Sequence, residues 1–409
     1  MKKTINIYQK KDILDMEYKN NSENNVFFSK LPPLSLYIHI PWCMSKCPYC
    51  DFNSHSIKNI NSIPEEEYIN ALKIEIEQSL PLVWGRKIIS VYIGGGTPSL
   101  LKASSIDKIL ELIRTFFNLN SQVEVTIEIN PGTVDSSKIK DYVISGVNRI
   151  SIGIQSFNNN KLEILGRIHN KSDAIKTIQT AQSLINNINI DIMFGLPGQN
   201  IKDCLIDMNE PILSEVNHIS MYNLTIEKNT LFARNTPKNL PDEDDNATMQ
   251  DIIEETLFDK NIIRYEVSAY SKHGFQSVHN KNYWTFGDYL GIGPGAHSKI
   301  SFQDHIIRIK RIYNPNLWIK TTMQNERKSS NKKILQTNEI PFEFMLNALR
   351  LKNGVKRSLF QERTGLFINI INKQLKIAYE KKLLEKNYTD IKATDLGWRF
   401  LNNLQEIFL

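Results

Sequence analysis

From Leu36 onward the chain alternates between two textures. Short apolar runs rich in isoleucine and valine occur at Leu36–Ile40, Ile88–Ile93, Val123–Ile129, Arg149–Ile154, Ile188–Met193 and His218–Leu224. Between them lie longer stretches in which apolar residues return every three or four positions: Glu65–Leu80, Ser104–Phe117, Ser136–Ser145, Lys171–Ile185 and Ile201–Leu213. The first texture suits short strands and the second suits amphipathic helices laid against them. Strands alternating with helices predict parallel βαβ units with right-handed crossovers, an α/β fold. An open partial (β/α) barrel and a doubly wound sheet both fit six such units.

The flanking segments read differently. Residues 1–34 are polar and carry asparagine pairs, which predicts a loosely attached arm. Residues 225–300 break the βα rhythm with a predicted helix at Glu243–Lys260 and a strand at Tyr265–Ser271, so the barrel and its extension are expected to run over 35–310. The polar stretch 311–337 reads as a linker. Helical periodicity returns over 338–409, at Phe342–Leu351, Leu366–Glu380 and Asp395–Ile407. With a β-wing at Leu383–Ala393, this predicts a small winged-helix-like module. No basic recognition stripe accompanies it, so nucleic acid is not an expected partner.

Candidate chemistry gathers at the strand ends. After Ile88–Ile93 comes Gly94-Gly95-Gly96-Thr97-Pro98; the following ends give Glu128-Ile129-Asn130-Pro131-Gly132, Gly153-Ile154-Gln155-Ser156-Phe157 and Asp191-Ile192-Met193-Phe194-Gly195. Parallel α/β folds build their active sites on this face. Cys43, Cys47 and Cys50 follow the first strand within eight residues. A disulfide framework would need an even set in a small secreted domain, and zinc sites usually take two ligand pairs. Three thiolates on one loop suit three irons of a [4Fe–4S] cubane, leaving the fourth iron for another ligand. His279 with Tyr283 and Trp284 offers a histidine among aromatics, a possible wall for a planar ligand. The fourth cysteine, Cys204, reads as a buried inert thiol.

The totals exclude several classes. With 41% hydrophobic and 23% charged residues the chain is an ordinary globular protein, and a net charge of +6 is modest. The N-terminus starts basic but lacks the apolar core of a secretory signal, and no apolar run is long enough to span a membrane. The expected location is the cytoplasm.

Cys43-x3-Cys47-x2-Cys50, with Tyr49 before the last cysteine, resembles the signature of the radical S-adenosylmethionine (SAM) superfamily. Tyr37-Ile-His-Ile-Pro-Trp-Cys43, Gly94-Gly-Gly-Thr-Pro-Ser99, Ser151-Ile-Gly-Ile-Gln-Ser-Phe157 and Gly291-Ile-Gly-Pro-Gly-Ala-His-Ser298 are similar to the oxygen-independent coproporphyrinogen III oxidase-like family. The resemblance covers Leu36 to about Ser298, and more weakly the C-terminal module. It implies a partial (β/α)6 barrel in which the three cysteines hold the cluster. It also implies that Tyr37, Tyr49, Gly95, Gly96, Thr97, Glu128, Gln155, Arg167 and Asp191 contact SAM. The true oxidases carry a further cysteine where this chain has Phe52, and His297 stands where an oxidase contacts a second SAM. Cys50-Asp-Phe-Asn-Ser-His55 and His279-Asn280-x-x-Tyr283-Trp284 instead resemble the heme-chaperone branch. That branch implies binding of the cluster, SAM and heme, with heme passed to acceptor proteins; His279, Tyr283 and Trp284 are the heme candidates. The alternative is radical oxidative decarboxylation of coproporphyrinogen III.

Overall fold

The computed structural model describes residues 26–324 and 330–409. Its centre is one continuous sheet. The six expected strands are present as β1 (Leu34–Ile40), β2 (Lys87–Gly95), β3 (Asn118–Ile129), β4 (Arg149–Gln155), β5 (Ile188–Phe194) and β6 (His218–Asn223). They pair in chain order, all parallel. Helices α1 (Glu65–Val83), α2 (Ala103–Phe116), α3 (Ser136–Ile144), α4 (Lys171–Gln182) and α5 (Ile201–Leu213) make the crossovers. Asn170 with Asp173, and Asn200 with Asp203, form capping boxes that start α4 and α5.

The strand period of two divides the sheet into two unlike faces. Ile38, Ile93, Ile127, Ile150 and Ile188 lie in register across five strands and are almost fully buried within the main core, which the crossover helices also enter. The opposite face carries Tyr37, Tyr92, Thr126 and Arg149 in one row, and Glu128, Ser151, Asn189 and His218 in the next. The second row is knit together, whereas Thr126 Oγ1 and Arg149 Nε in the first have no hydrogen-bond partner among the described residues. Asn189 donates to Ser151 and Asp191, and its carbonyl faces the His218 ring at 2.6 Å. A polar inner face is what a barrel-type fold offers a ligand.

Residues beyond β6 extend the sheet at both edges. Strand β7 (Ala269–Ser271) adds antiparallel to β6. At the far edge β8 (Asp288–Ile292) pairs parallel to β1, and β9 (His297–Ser301), β10 (Ile306–Arg311) and β11 (Ser330–Ile334) follow antiparallel. Helix α6 (Val278–Trp284) closes the inside from below. Glu124 accepts the backbone N–H groups of Val278 and His279 at its start.

Several expectations need correction. The 311–337 stretch is not a linker. It forms α7 (Pro315–Met323), whose Trp318 is fully buried and donates to Glu75, and then β11 at the sheet edge. Within the predicted arm, residues 1–25 lie outside the described residues. Val26 and Phe28 are buried, and Phe27 N–H bonds to Gly365, so 26–31 packs on the C-terminal module, while Pro33 already accepts from Asp288 N–H and Leu34 begins β1. The strand at Tyr265–Ser271 shortens to β7. The helix at Leu366–Glu380 splits into a 3-10 turn, Ile368–Ile371, and a helix, Asn372–Glu380. The wing is present: Leu384 bridges Ala393, and Asp390–Ile391 pairs with Val355–Lys356.

Candidate cofactor site

The cysteine loop leaves the end of β1 and is held on every side. Gly96 N–H bonds to Ile40 C=O and Thr97 N–H to Trp42 C=O, while Ile57 N–H returns to Cys43 C=O. A Cβ on Gly96 would stand 2.6 Å from the Trp42 carbonyl oxygen, and one on Gly95 2.6 Å from the His39 ring. The glycines therefore let the β2 end pack directly under the loop. From the other side Asn53 donates to Pro294 and Tyr313 C=O, both at 2.9 Å, and accepts from His39 through its backbone.

All three loop thiols are free and half-buried. A polar relay runs between two of them. Thr97 Oγ1 donates to Cys43 Sγ at 3.4 Å, Asn130 donates to Thr97, Arg167 donates to Asn130 at 2.8 Å, and Arg167 Nη1 reaches Cys47 Sγ at 3.8 Å. Burial pushes the Cys43 thiol up to about 11 and raises Cys50 as well. Thiolates there need positive charge beside them, which cluster irons supply. Among the described residues no three His, Cys, Asp or Glu side chains converge as one ion would require. Cysteines that bind separate irons of a cubane need no such convergence. The buried Arg167 Nε and His169 Nδ1 have no protein partner among the described residues and flank a hollow of about 30 Å³ beside Cys47. The donor set fits an iron–sulfur cluster with a polar ligand alongside.

A larger cavity, about 380 Å³, opens next to the loop. Of the residues expected at the site, Tyr37, Gly95, Glu128 and Tyr283 line it, together with Phe52 and His297. Glu128 accepts from Tyr92 OH at 2.8 Å and from Gly95 N–H at 3.1 Å; burial, foremost, raises its carboxyl to about 7. Cys47, Thr97 and Arg167 meet in the smaller hollow. Asp191 lies deeper, bonded to Ser151 and Asn189, and burial raises its carboxyl too. Gln155 sits where the β4–β5 register shifts, with φ of 76°, a strained conformation of the kind that clusters at functional sites. Tyr49 packs against Phe232 beside the loop.

His279 and Trp284 do not line the cavity. His279 is 4% exposed, its Nδ1 is 3.0 Å from Ser90 Oγ, and its ring tilts against Tyr92 and Tyr283. Burial lowers it to about 3. Trp284 turns towards the C-terminal module under the Arg350 guanidinium. Tyr92 and Tyr289 were not among the expected site residues, and Asn53 and Asn130 stood inside quoted motifs without a role of their own. Tyr92 had a signal, its alternation with Val91 and Ile93 in register with Tyr37. The role of Asn53 was not readable, because its partners lie some 240 to 260 positions away.

A family model described as the radical SAM superfamily matches residues 37–209, and one described as the HemN C-terminal domain matches 335–400. The chain is 43% identical over 389 residues to the heme chaperone HemW of Haemophilus influenzae and 42% identical over 385 residues to that of Escherichia coli. Each alignment covers 93% of this chain and 99% of the relative. The Bacillus subtilis heme chaperone HemW is 31% identical over 92% of this chain and 99% of its own length. Among solved structures, the coproporphyrinogen III oxidase HemN of Escherichia coli, a radical SAM enzyme, superposes with a TM-score of 0.79. It covers 96% of both chains at 20% identity, a likeness of fold.

Proposed function

The chain belongs to the heme chaperone HemW family of the radical SAM superfamily, and from that premise we propose that it binds a [4Fe–4S] cluster, SAM and heme and hands heme to acceptor proteins. The observation that carries this reading is the free three-thiol loop beside a tyrosine-walled cavity whose rim residue is Phe52.

In this reading Cys43, Cys47 and Cys50 hold the cluster. When bound, the cluster supplies one-electron chemistry and an open iron position for SAM. Thr97 and Arg167, reaching Cys43 and Cys47, keep positive and donor character at the sulfurs. Tyr37, Tyr49, Gly95, Gly96, Glu128, Gln155 and Asp191 hold the polar parts of SAM along the inner face. Glu128 sits where the positive charge of an ammonium would lower its carboxyl, so that the proton leaves to solvent and the carboxylate pairs with the cation. Tyr283 forms part of the heme-facing wall, and His279 and Trp284 brace it from below. Phe52, 61% exposed at the rim, offers apolar contact where the oxidases carry a thiol.

Anaerobic reconstitution followed by heme titration tests the proposal. The expected outcome is iron and sulfide lost by each of Cys43→Ala, Cys47→Ala and Cys50→Ala, near-stoichiometric heme binding, and transfer of that heme to a heme-free cytochrome b. Efficient conversion of coproporphyrinogen III to protoporphyrinogen, with no heme uptake, would overturn it in favour of the oxidase.

A further inference from the structure

We infer that His297 is the axial ligand to the heme iron, and that Lys310, opposite it in the sheet, holds a heme propionate. The inference rests on the heme-binding reading above.

Only two histidines, His39 and His297, line the 380 Å³ cavity among the described residues. An axial imidazole needs a ring nitrogen free to face the iron. His39 has none to offer: Tyr37 OH is 2.9 Å from its Nδ1 and Asn53 C=O is 2.9 Å from its Nε2. It is also 6% exposed. His297 opens β9 and is exposed, and neither of its ring nitrogens makes a hydrogen bond among the described residues. Its neighbours present flat aromatic surface. Tyr289 stacks on Tyr283 with centroids 4.1 Å apart, and Phe52 stands at the rim. The cavity is of small-molecule size, and the inner wall that it shares with the SAM-binding residues, Tyr37, Gly95 and Glu128, leaves its open, aromatic end to the heme.

The charges fit the ligand's other end. His297 and Lys310 are direct cross-strand partners in the β9–β10 ladder, so their side chains leave the same face. Arg308, two residues along that face, already meets Glu343 and Tyr289 OH. Lys310 is different. Its ammonium lies 4.5 Å from the Tyr313 ring centroid and makes no ion pair among the described residues. An exposed ammonium with no carboxylate partner among the described residues, on the same face as an open imidazole, matches a planar iron complex that carries carboxylates at its edge. A porphyrin whose iron meets His297 would direct a propionate towards Lys310, and the pair would form a charge-assisted hydrogen bond.

The test is heme titration of the cluster-loaded protein, read by the Soret band and by electron paramagnetic resonance. Wild type should give the signature of a histidine-ligated iron. His297→Ala should lose it and bind heme roughly tenfold or more weakly, while keeping its iron–sulfur absorbance as evidence of folding. Added imidazole should restore the signature. An unchanged spectrum and affinity in His297→Ala would overturn the assignment, whereas a wild type that takes up no heme would overturn the heme-binding reading itself. Lys310→Ala should weaken heme binding roughly fivefold but leave binding of the heme dimethyl ester, which lacks the propionate charges, unaltered. Equal losses for both ligands, or none for either, would remove Lys310 from the site.

Discussion

Replacing Asn53 with alanine should free the cysteine loop from the far edge of the sheet. The Asn53 side chain spans that gap, donating to Pro294 and Tyr313 C=O at 2.9 Å each and facing His55 Nε2 at 3.0 Å, and His55 itself bonds the Tyr313 backbone beside it. Tyr313 is 46% exposed, so water can replace one partner at little cost. Pro294 is buried, and its stranded carbonyl carries most of the penalty. Together the losses come to about 2–3 kcal/mol. Spent on local opening rather than global unfolding, this is roughly a 30- to 150-fold rise in the open population. Amide hydrogen exchange over residues 44–56 of the metal-free protein reads that population, and the rate at which a chelator strips the reconstituted cluster reads its consequence. Gly295→Ala approaches the latch from the other side. Its Cβ would stand 2.2 Å from Asn53 Nδ2 at a φ of +79°, so it should give the same loop opening. Unchanged exchange in Asn53→Ala would show that the latch holds nothing.

Other consequences can be measured directly. Burial holds Glu128 near 7 against an ordinary 4.5, so the folded chain retains a proton that the unfolded chain releases between those values. Its contribution to stability therefore falls as pH rises through that window, by on the order of 3 kcal/mol. Glu128→Gln should raise the melting temperature of the metal-free protein at pH 8 and lose that advantage near pH 5; an advantage independent of pH would refute the cause. Cys204 is 2% exposed and burial pushes its thiol to about 12, so Cys204→Ala should keep full iron and sulfide content. Lys299, 1% exposed, donates to Asp288 and to Phe286 C=O at 2.9 Å. Lys299→Met should cost about 3 kcal/mol in denaturant unfolding, the low end for a broken buried pair because Arg86 still meets Asp288.

Much of the core was legible because βα rhythm and the strand period are local signals. Of the inner polar face only the strand ends, such as Glu128, were read; the alternation of Glu124 and Thr126 with Val125 and Ile127 along β3 passed as part of an apolar run. The edges were not legible. The Ser330–Ile334 segment is a real strand, but it pairs on one side only and is largely exposed, so its lysines read as linker. Lysine on an edge strand also discourages further pairing, which makes such strands look like loops by composition. Trp318 stands in a short apolar run, Leu317-Trp318-Ile319, inside a mostly polar stretch, and its meaning lies in Glu75, which no spacing rule connects to it.

The same distinction governs the site. The cluster ligands are contiguous in sequence, and three cysteines on eight residues restrict the chemistry before any fold is known. The heme candidates were read by the same contiguity, as His279, Tyr283 and Trp284, yet a helix turns those three residues in different directions. Tyr283 reaches the cavity, His279 lies buried against Ser90, and Trp284 faces the C-terminal module. The residues that share the cavity with Tyr283 come instead from neighbouring strands and from the cysteine loop: Tyr289, His297 and Phe52. Phe52 belongs to both groups, lying two residues after the third cysteine and at the cavity rim. A thiol there would put a reactive group against any bound porphyrin; a phenyl ring gives it a surface to lie on.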